Sequence, residues 1–87
     1  MRNVVQHHPS DAKLIWNCRR GMLELDLILT RFIERHLSSL GAEERLLFER
    51  LLDYPDPMLY ALLMGQVELD DEELMHFVNN IRTQYSF

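Results

Sequence analysis

The residues of this chain best placed to do chemistry lie in one short stretch, Arg19-Arg20-Gly21-Met22-Leu23-Glu24-Leu25-Asp26, with Trp16 and Cys18 just before it. Two cations, a glycine and two acids interrupt a pattern that is otherwise apolar at helical spacing. Arginine beside an aromatic ring is typical of surfaces that bind another protein. Trp16, Arg19, Arg20, Gly21, Glu24 and Asp26 are therefore the expected partner-binding set. The plainer reading of the same stretch is helix punctuation. Arginines complement the negative end of a helix, Gly21 ends it, and Glu24 suits the first turn of the next. By spacing alone the plainer reading is the stronger, but it leaves the clustering of these charges beside Trp16 unexplained. Either way Gly21 is a corner between two helices. A positive φ is expected there, with Arg20 and Glu24 largely exposed on its two sides.

Acid–base or nucleophilic catalysis needs a positioned base beside an acid or nucleophile. The candidates here are Cys18, His36 and His76, far apart in sequence and each set in an apolar helical pattern. Cys18 reads as a small buried hydrophobe, and the histidines as polar edges of core faces. No ligand spacing supports a metal site built from them; His7-His8 could hold a metal weakly at most. The three glycines are scattered at helix ends, so there is no phosphate-cradling loop. No catalytic residue, metal or stably bound cofactor is assigned; the alternative of a small enzyme using Cys18 or His36 would require those side chains to be exposed and mutually close.

The elements that must position the corner are all helical. Ser10 to Cys18 has an N-cap serine, Asp11 at the positive end of the dipole, and Leu14, Ile15 and Cys18 on one face. Leu25 to Leu40 is the longest segment, with Leu25, Ile28, Leu29, Phe32, Ile33, His36, Leu37 and Leu40 along its buried stripe. Ala42 to Asp53 follows, burying Leu47, Phe48, Leu51 and Leu52, and Pro55 and Pro57 forbid its continuation. Asp56 caps a fourth helix that runs through Met64 and stops at Gly65. Asp70 and Glu73 have the spacing of a partial capping box for a fifth, marked by Leu74, Phe77, Val78, Ile81 and Tyr85. The expected fold is all-α, a compact five-helix bundle forming a single domain over residues 1–87, with residues 1–9 as a loose tail.

Composition narrows the partners. The chain of 87 residues is 47% hydrophobic and 26% charged, and fourteen acids against nine lysines and arginines give a formal charge of −5. That balance, with no basic recognition helix, argues against nucleic acid. No apolar run approaches the length of a membrane span, so direct membrane insertion is not expected. One cysteine cannot form an internal disulfide, and no targeting segment is visible; a bacterial cytoplasm is the simplest location.

The run Trp16-Asn17-Cys18-Arg19-Arg20-Gly21-Met22-Leu23-Glu24-Leu25-Asp26 resembles the signature region of the succinate dehydrogenase flavinylation and assembly factors (SdhE or YgfY type). Arg20, Gly21 and Glu24 fall on that family's R-G-x-x-E motif. The resemblance continues through Phe48-Glu49-Arg50-Leu51-Leu52-Asp53 and Asp56-Pro57, and covers about residues 12 to 85. Departures are modest: Lys13 replaces a common arginine, Met58 a common acid and Leu62 a common aromatic residue. The resemblance implies a non-enzymatic five-helix bundle, monomeric when free. It would bind the flavoprotein subunit of succinate dehydrogenase, and in some bacteria fumarate reductase, and promote covalent attachment of FAD to a histidine of that subunit. The FAD would belong to the partner. The same family carries an antitoxin label in some bacteria, so the alternative it implies is an antitoxin or adaptor that binds a membrane toxin or another protein.

Overall fold

The computed structural model describes residues 9–85, which form five α-helices and no strand. The expected tail over 1–9 falls outside these residues except for Pro9, which is the first residue of α1 (Pro9–Asn17). α2 spans Leu23–His36 and runs into a 3-10 turn over Leu37–Ser39, α3 spans Ala42–Leu52, α4 Asp56–Leu63 and α5 Glu72–Tyr85. α5 packs on α3 and α4, α1 packs on α2 and α3, and α2 also reaches α4.

The core is what the periodicity requires. Leu14, Leu25, Leu29, Phe48, Leu51, Leu59, Leu62, Leu63, Val78 and Ile81 are fully buried, so every helix contributes its apolar face to one cluster. At its centre the rings of Phe32, Phe48 and Phe77 meet with centroids 5.5–5.8 Å apart. The Phe32–Phe48 and Phe32–Phe77 pairs are edge-to-face, the favoured arrangement for ring quadrupoles. Ile15 departs from expectation: it is 40% exposed and flanks the core rather than joining it.

The helix ends differ from the sequence reading by one to four residues, each for a local reason. α1 starts at Pro9, so Ser10 lies inside it rather than capping it. α2 begins two residues early, at Leu23. It gives way to the 3-10 turn after His36, where the Ser39 hydroxyl donates to the His36 carbonyl at 3.0 Å and competes with the helical ladder. The Gly41 N–H donates to Glu44 Oε1 at 3.0 Å, one half of a capping box; glycine has no side chain to complete the other. In α4, Pro55 takes the extended position before the helix and Asp56 is its first helical residue. For α5 the cap is Asp71, not Asp70, because Asp71 Oδ1 accepts the Leu74 N–H at 3.1 Å. That bond, then the one from Arg50, hold the Asp71 carboxyl below its ordinary value of 3.8.

α1 is also tied down by charge. Asp11 is buried and accepts a hydrogen bond from Arg45 of α3, whose Nη2 donates to the Leu37 carbonyl at 3.5 Å. Removing one member of a buried pair strands the other. Asp11→Ala should therefore destabilise the fold by about 3 kcal/mol. At this chain length that lowers the thermal midpoint by roughly 10–20 °C, which calorimetry or circular dichroism would read. A midpoint within a few degrees of the parent would show that Arg45 finds water instead.

Candidate functional site

The corner forms because α1 runs out of helical partners. Cys18 N–H is shared between the Leu14 and Ile15 carbonyls, each at 3.2 Å, and Arg19 N–H reaches the Trp16 carbonyl at 3.0 Å. The chain then opens through Arg20 and Gly21 to Met22, which is extended (φ −79°, ψ 116°). α2 is launched when Asp26 N–H bonds the Met22 carbonyl at 3.0 Å.

Beneath this corner lies Arg20, contrary to the expectation that it faces solvent. Its side chain is 15% exposed. Nη1 lies 3.3 Å from Asp56 Oδ1, and Nη2 donates to the Leu52 carbonyl. The other Asp56 oxygen accepts the Met22 N–H at 3.2 Å. Leu52 is the last residue of α3, so its carbonyl sits at the negative end of a helix and favours a cation there. Arg20 Nε is buried with no hydrogen-bond partner among the described residues, which offsets part of what the other bonds contribute. The guanidinium is an anchor joining the corner to the α3–α4 connection.

The remaining members of the expected set divide by exposure. Trp16 is 74% exposed, and Glu24 is exposed with no ion-pair partner among the described residues. Arg19 pairs with Asp26 at 3.2 Å across the corner. The arginine is mostly in water, so the pair contributes at most about 1 kcal/mol. It forms one wall of an open groove of about 400 Å³ between α1 and α2, lined also by Ile15, Thr30, Ile33 and Glu34. Gly21 is exposed and does not have the expected positive φ; among the described glycines that conformation belongs to Gly65, at +76°. A Cβ on Gly21 would meet nothing within 4 Å, whereas one on Gly65 would strike the Arg82 guanidinium at 2.5 Å.

Two features lie outside the sequence reading, apart from Trp16, which belongs to the expected set. The large apolar side chains left exposed are Ile15, Trp16, Leu23, Leu27 and Leu46, and all but Leu46 belong to the helices that meet at the corner. The signal was available: Leu23 and Leu27 are four apart and miss the Leu25-Leu29-Phe32 stripe, so they share a different face. The second is Asp56, whose link to Arg20 spans 36 positions and has no local signature.

The catalytic candidates do not converge. Burial pushes the Cys18 thiol up to about 12, with Arg20 lowering and Asp26 raising it to lesser degrees. His36 lies against Phe32 with ring centroids 4.7 Å apart and shares a hydrogen bond with Gln84. His76 is exposed on α5, and His7 and His8 are outside the described residues. Among the described residues no three His, Cys, Asp or Glu side chains gather as a metal site would need.

Comparison with known proteins adds a second line. Residues 12–85 match the family model described as flavinator of succinate dehydrogenase. The chain is similar to the FAD assembly factor SdhE of Coxiella burnetii, 46% identical over 73 residues that cover 84% of this chain and 89% of that one. It is also similar to proteins of that name from Legionella pneumophila, 46% identical over 82% of this chain and 89% of the relative, and Shewanella oneidensis, 42% identical over 82% and 87%.

Three expectations follow from the geometry. A thiol protonated to about pH 12 and sealed in the core should resist a thiol reagent in the folded protein at pH 8 and react quickly once denaturant is added. Gly21→Ala should leave the thermal midpoint unchanged or slightly raised, within about 1 kcal/mol, since its backbone suits alanine. Gly65→Ala should cost about 1 kcal/mol or more, because it is strained at positive φ.

Proposed function

Because the chain belongs to the flavinator of succinate dehydrogenase family, we propose that it is an assembly factor. It binds the flavoprotein subunit of succinate dehydrogenase and promotes covalent attachment of FAD to that subunit. Fumarate reductase, whose flavoprotein subunit is a second target in the same reading, would be met through the same surface. The chain is monomeric when free, works in the cytoplasm, is not an enzyme and holds no FAD stably itself.

The observation that carries the reading of the site is the placement of exposed apolar area. A small acidic domain leaves Trp16 74% and Leu23 69% exposed on the two sides of a corner it has anchored from beneath. Isolated exposed leucines need no explanation; a tryptophan and three aliphatic side chains exposed on the two helices that meet at the corner do. Aromatic side chains in such a place are the usual energetic centres of an interface. Gly21 lies between them as bare backbone, and nothing among the described residues requires that it lack a side chain. Its smoothness suits a close approach from outside. The exposed Glu24 then meets a cation of the partner, and the Arg19–Asp26 pair forms the polar rim.

Such a surface acts by ordering rather than by reacting. Its one thiol is held protonated in the core and its central arginine is engaged internally. What it offers the flavoprotein is binding energy that favours the arrangement in which the subunit's own histidine faces its flavin. Holding reacting groups in a near-attack geometry is worth roughly 7–11 kcal/mol in the best cases.

The test is in-gel flavin fluorescence of the flavoprotein subunit expressed with and without this chain. The parent chain should raise the covalent signal. Trp16→Ala and Glu24→Ala should lower it several-fold while shifting stability by no more than about 0.5 kcal/mol. Asn80→Ala, on the exposed side of α5, should match the parent. If the parent leaves the signal unchanged the assembly reading fails. Folded corner variants with full activity would reduce the corner to a helix turn. Recovery of a membrane protein in place of the flavoprotein in a pull-down would favour the adaptor alternative.

A further inference from the structure

We propose that Asp56 is a positioning residue for the docking corner: its carboxylate, on α4, sets the backbone geometry that Arg20, Gly21 and Met22 present to the flavoprotein. The inference rests on the proposed function for its biological meaning, but its structural content stands on separate observations.

The first is how the carboxylate is used. Oδ1 lies 3.3 Å from Arg20 Nη1 and Oδ2 accepts the Met22 N–H at 3.2 Å. An aspartate in the first turn of a helix ordinarily serves its own helix. Here both oxygens point to the corner, and α4 closes its first turn through the Pro55 carbonyl, which accepts from Met58 and Leu59 at 3.0 Å each.

The second is where the carboxylate comes from. Asp56 stands between two prolines, and Pro55 has φ −67° and ψ 158°. Proline on each side restricts the backbone, so Asp56 is delivered from a stiff support. A short side chain on such a support can fix the position of what it binds.

The third is what the corner lacks. Among the described residues nothing lies within 4 Å of where a Cβ on Gly21 would be, so the turn is unpacked at Gly21 itself, and only Met22 beside it leans on the core. Met22 precedes the first residue of α2, and its own side chain cannot cap the helix. The carboxylate of Asp56 takes the part that a glutamate at the third helical position plays in a capping box: it accepts the N–H of the residue before the helix and places negative charge near the positive end of α2. It also balances Arg20, whose Nη2 is engaged at the end of α3. One side chain thus ties α2, α4 and, through Arg20, α3 at the point where Trp16 and Leu23 emerge.

Helix capping and docking geometry are separable by experiment. The full chain is prepared as Asp56→Ala, Asp56→Asn, Arg20→Ala and the double variant Asp56→Ala/Arg20→Ala. Amide hydrogen exchange is measured on the chain alone, and covalent flavin on the flavoprotein subunit is measured with each. Asp56→Ala should speed exchange at Met22 by about tenfold or more while the amides of Phe48 and Phe77 stay protected, because the opening is local. Asp56→Asn, whose carbonyl oxygen still accepts the Met22 N–H, should restore most of that protection and most of the flavin signal. Asp56→Ala should lower covalent flavin several-fold. The double variant should lose no more than the worse single one, since the two residues act as one unit. Unchanged exchange at Met22 in both Asp56 variants would overturn the proposal, as would fast exchange with full flavin attachment, or losses that multiply in the double variant. Should Asp56→Ala fail to fold, Asp56→Asn decides: protected Met22 with retained flavin supports the positioning role, and lost flavin despite protection overturns it. A parent chain that leaves flavin attachment unchanged would sink the assembly reading, while hydrogen exchange would still decide whether Asp56 holds the corner.

Discussion

The structure turns on a cation placed under a helix junction. Arg20 carries its charge into a site 15% exposed, where a lone guanidinium would not be tolerated, and three elements meet to accommodate it. α3 contributes the carbonyl of its last residue, α4 contributes a carboxylate, and the corner contributes the arginine together with the Met22 amide. None of these groups is satisfied by its own helix. Each is therefore a reason for the helices to end where they do, and the three are satisfied together at the junction.

This arrangement divides the labour of the signature stretch between support and display. Arg20 faces inward; Trp16, Gly21, Leu23 and Glu24 face outward. If the corner is the docking surface proposed above, loss of a supporting residue and loss of a displayed one would both impair docking, but for different reasons. The first leaves a surface of the right composition in the wrong shape, and the second leaves the right shape without its anchor. Both Cys18 and Leu25, immediately on either side of the corner, are fully buried, so the displayed residues are held by core on each flank.

Periodicity made the five helices and nearly all of the core legible, because a helix that buries one face must repeat its apolar residues every three or four positions. Caps were read less well. Asp70 and Asp71 are adjacent acids and spacing cannot choose between them; the choice falls to Asp71, whose carboxylate also meets Arg50. Gly21 was recognised as a corner, but a glycine at a helix end invites a left-handed conformation that this chain uses at Gly65 instead. Least legible were the charge pairs. Asp11 with Arg45 and Arg20 with Asp56 join residues 34 and 36 positions apart. A local pattern sees such residues as a first-turn acid or a last-turn base. Hence the neighbours of Arg20 suggest a displayed residue, whereas its burial depends on a carboxylate far along the chain.

Stiffness is what the proposed activity asks of such a corner. A helper that only binds its partner in one arrangement must lose little entropy of its own on docking, since each side chain or loop ordered at the interface subtracts from the affinity. An 87-residue domain has few means of holding an exposed tryptophan in place. It cannot bury the ring without losing the contact surface, so it must fix the backbone beneath it. The tie from Asp56 through Arg20 does this with polar groups that point away from solvent, leaving Trp16, Leu23 and the backbone of Gly21 exposed. The same logic explains why the polar tie and the apolar display lie back to back: hydrogen bonds define direction, and apolar area supplies the affinity that direction makes specific.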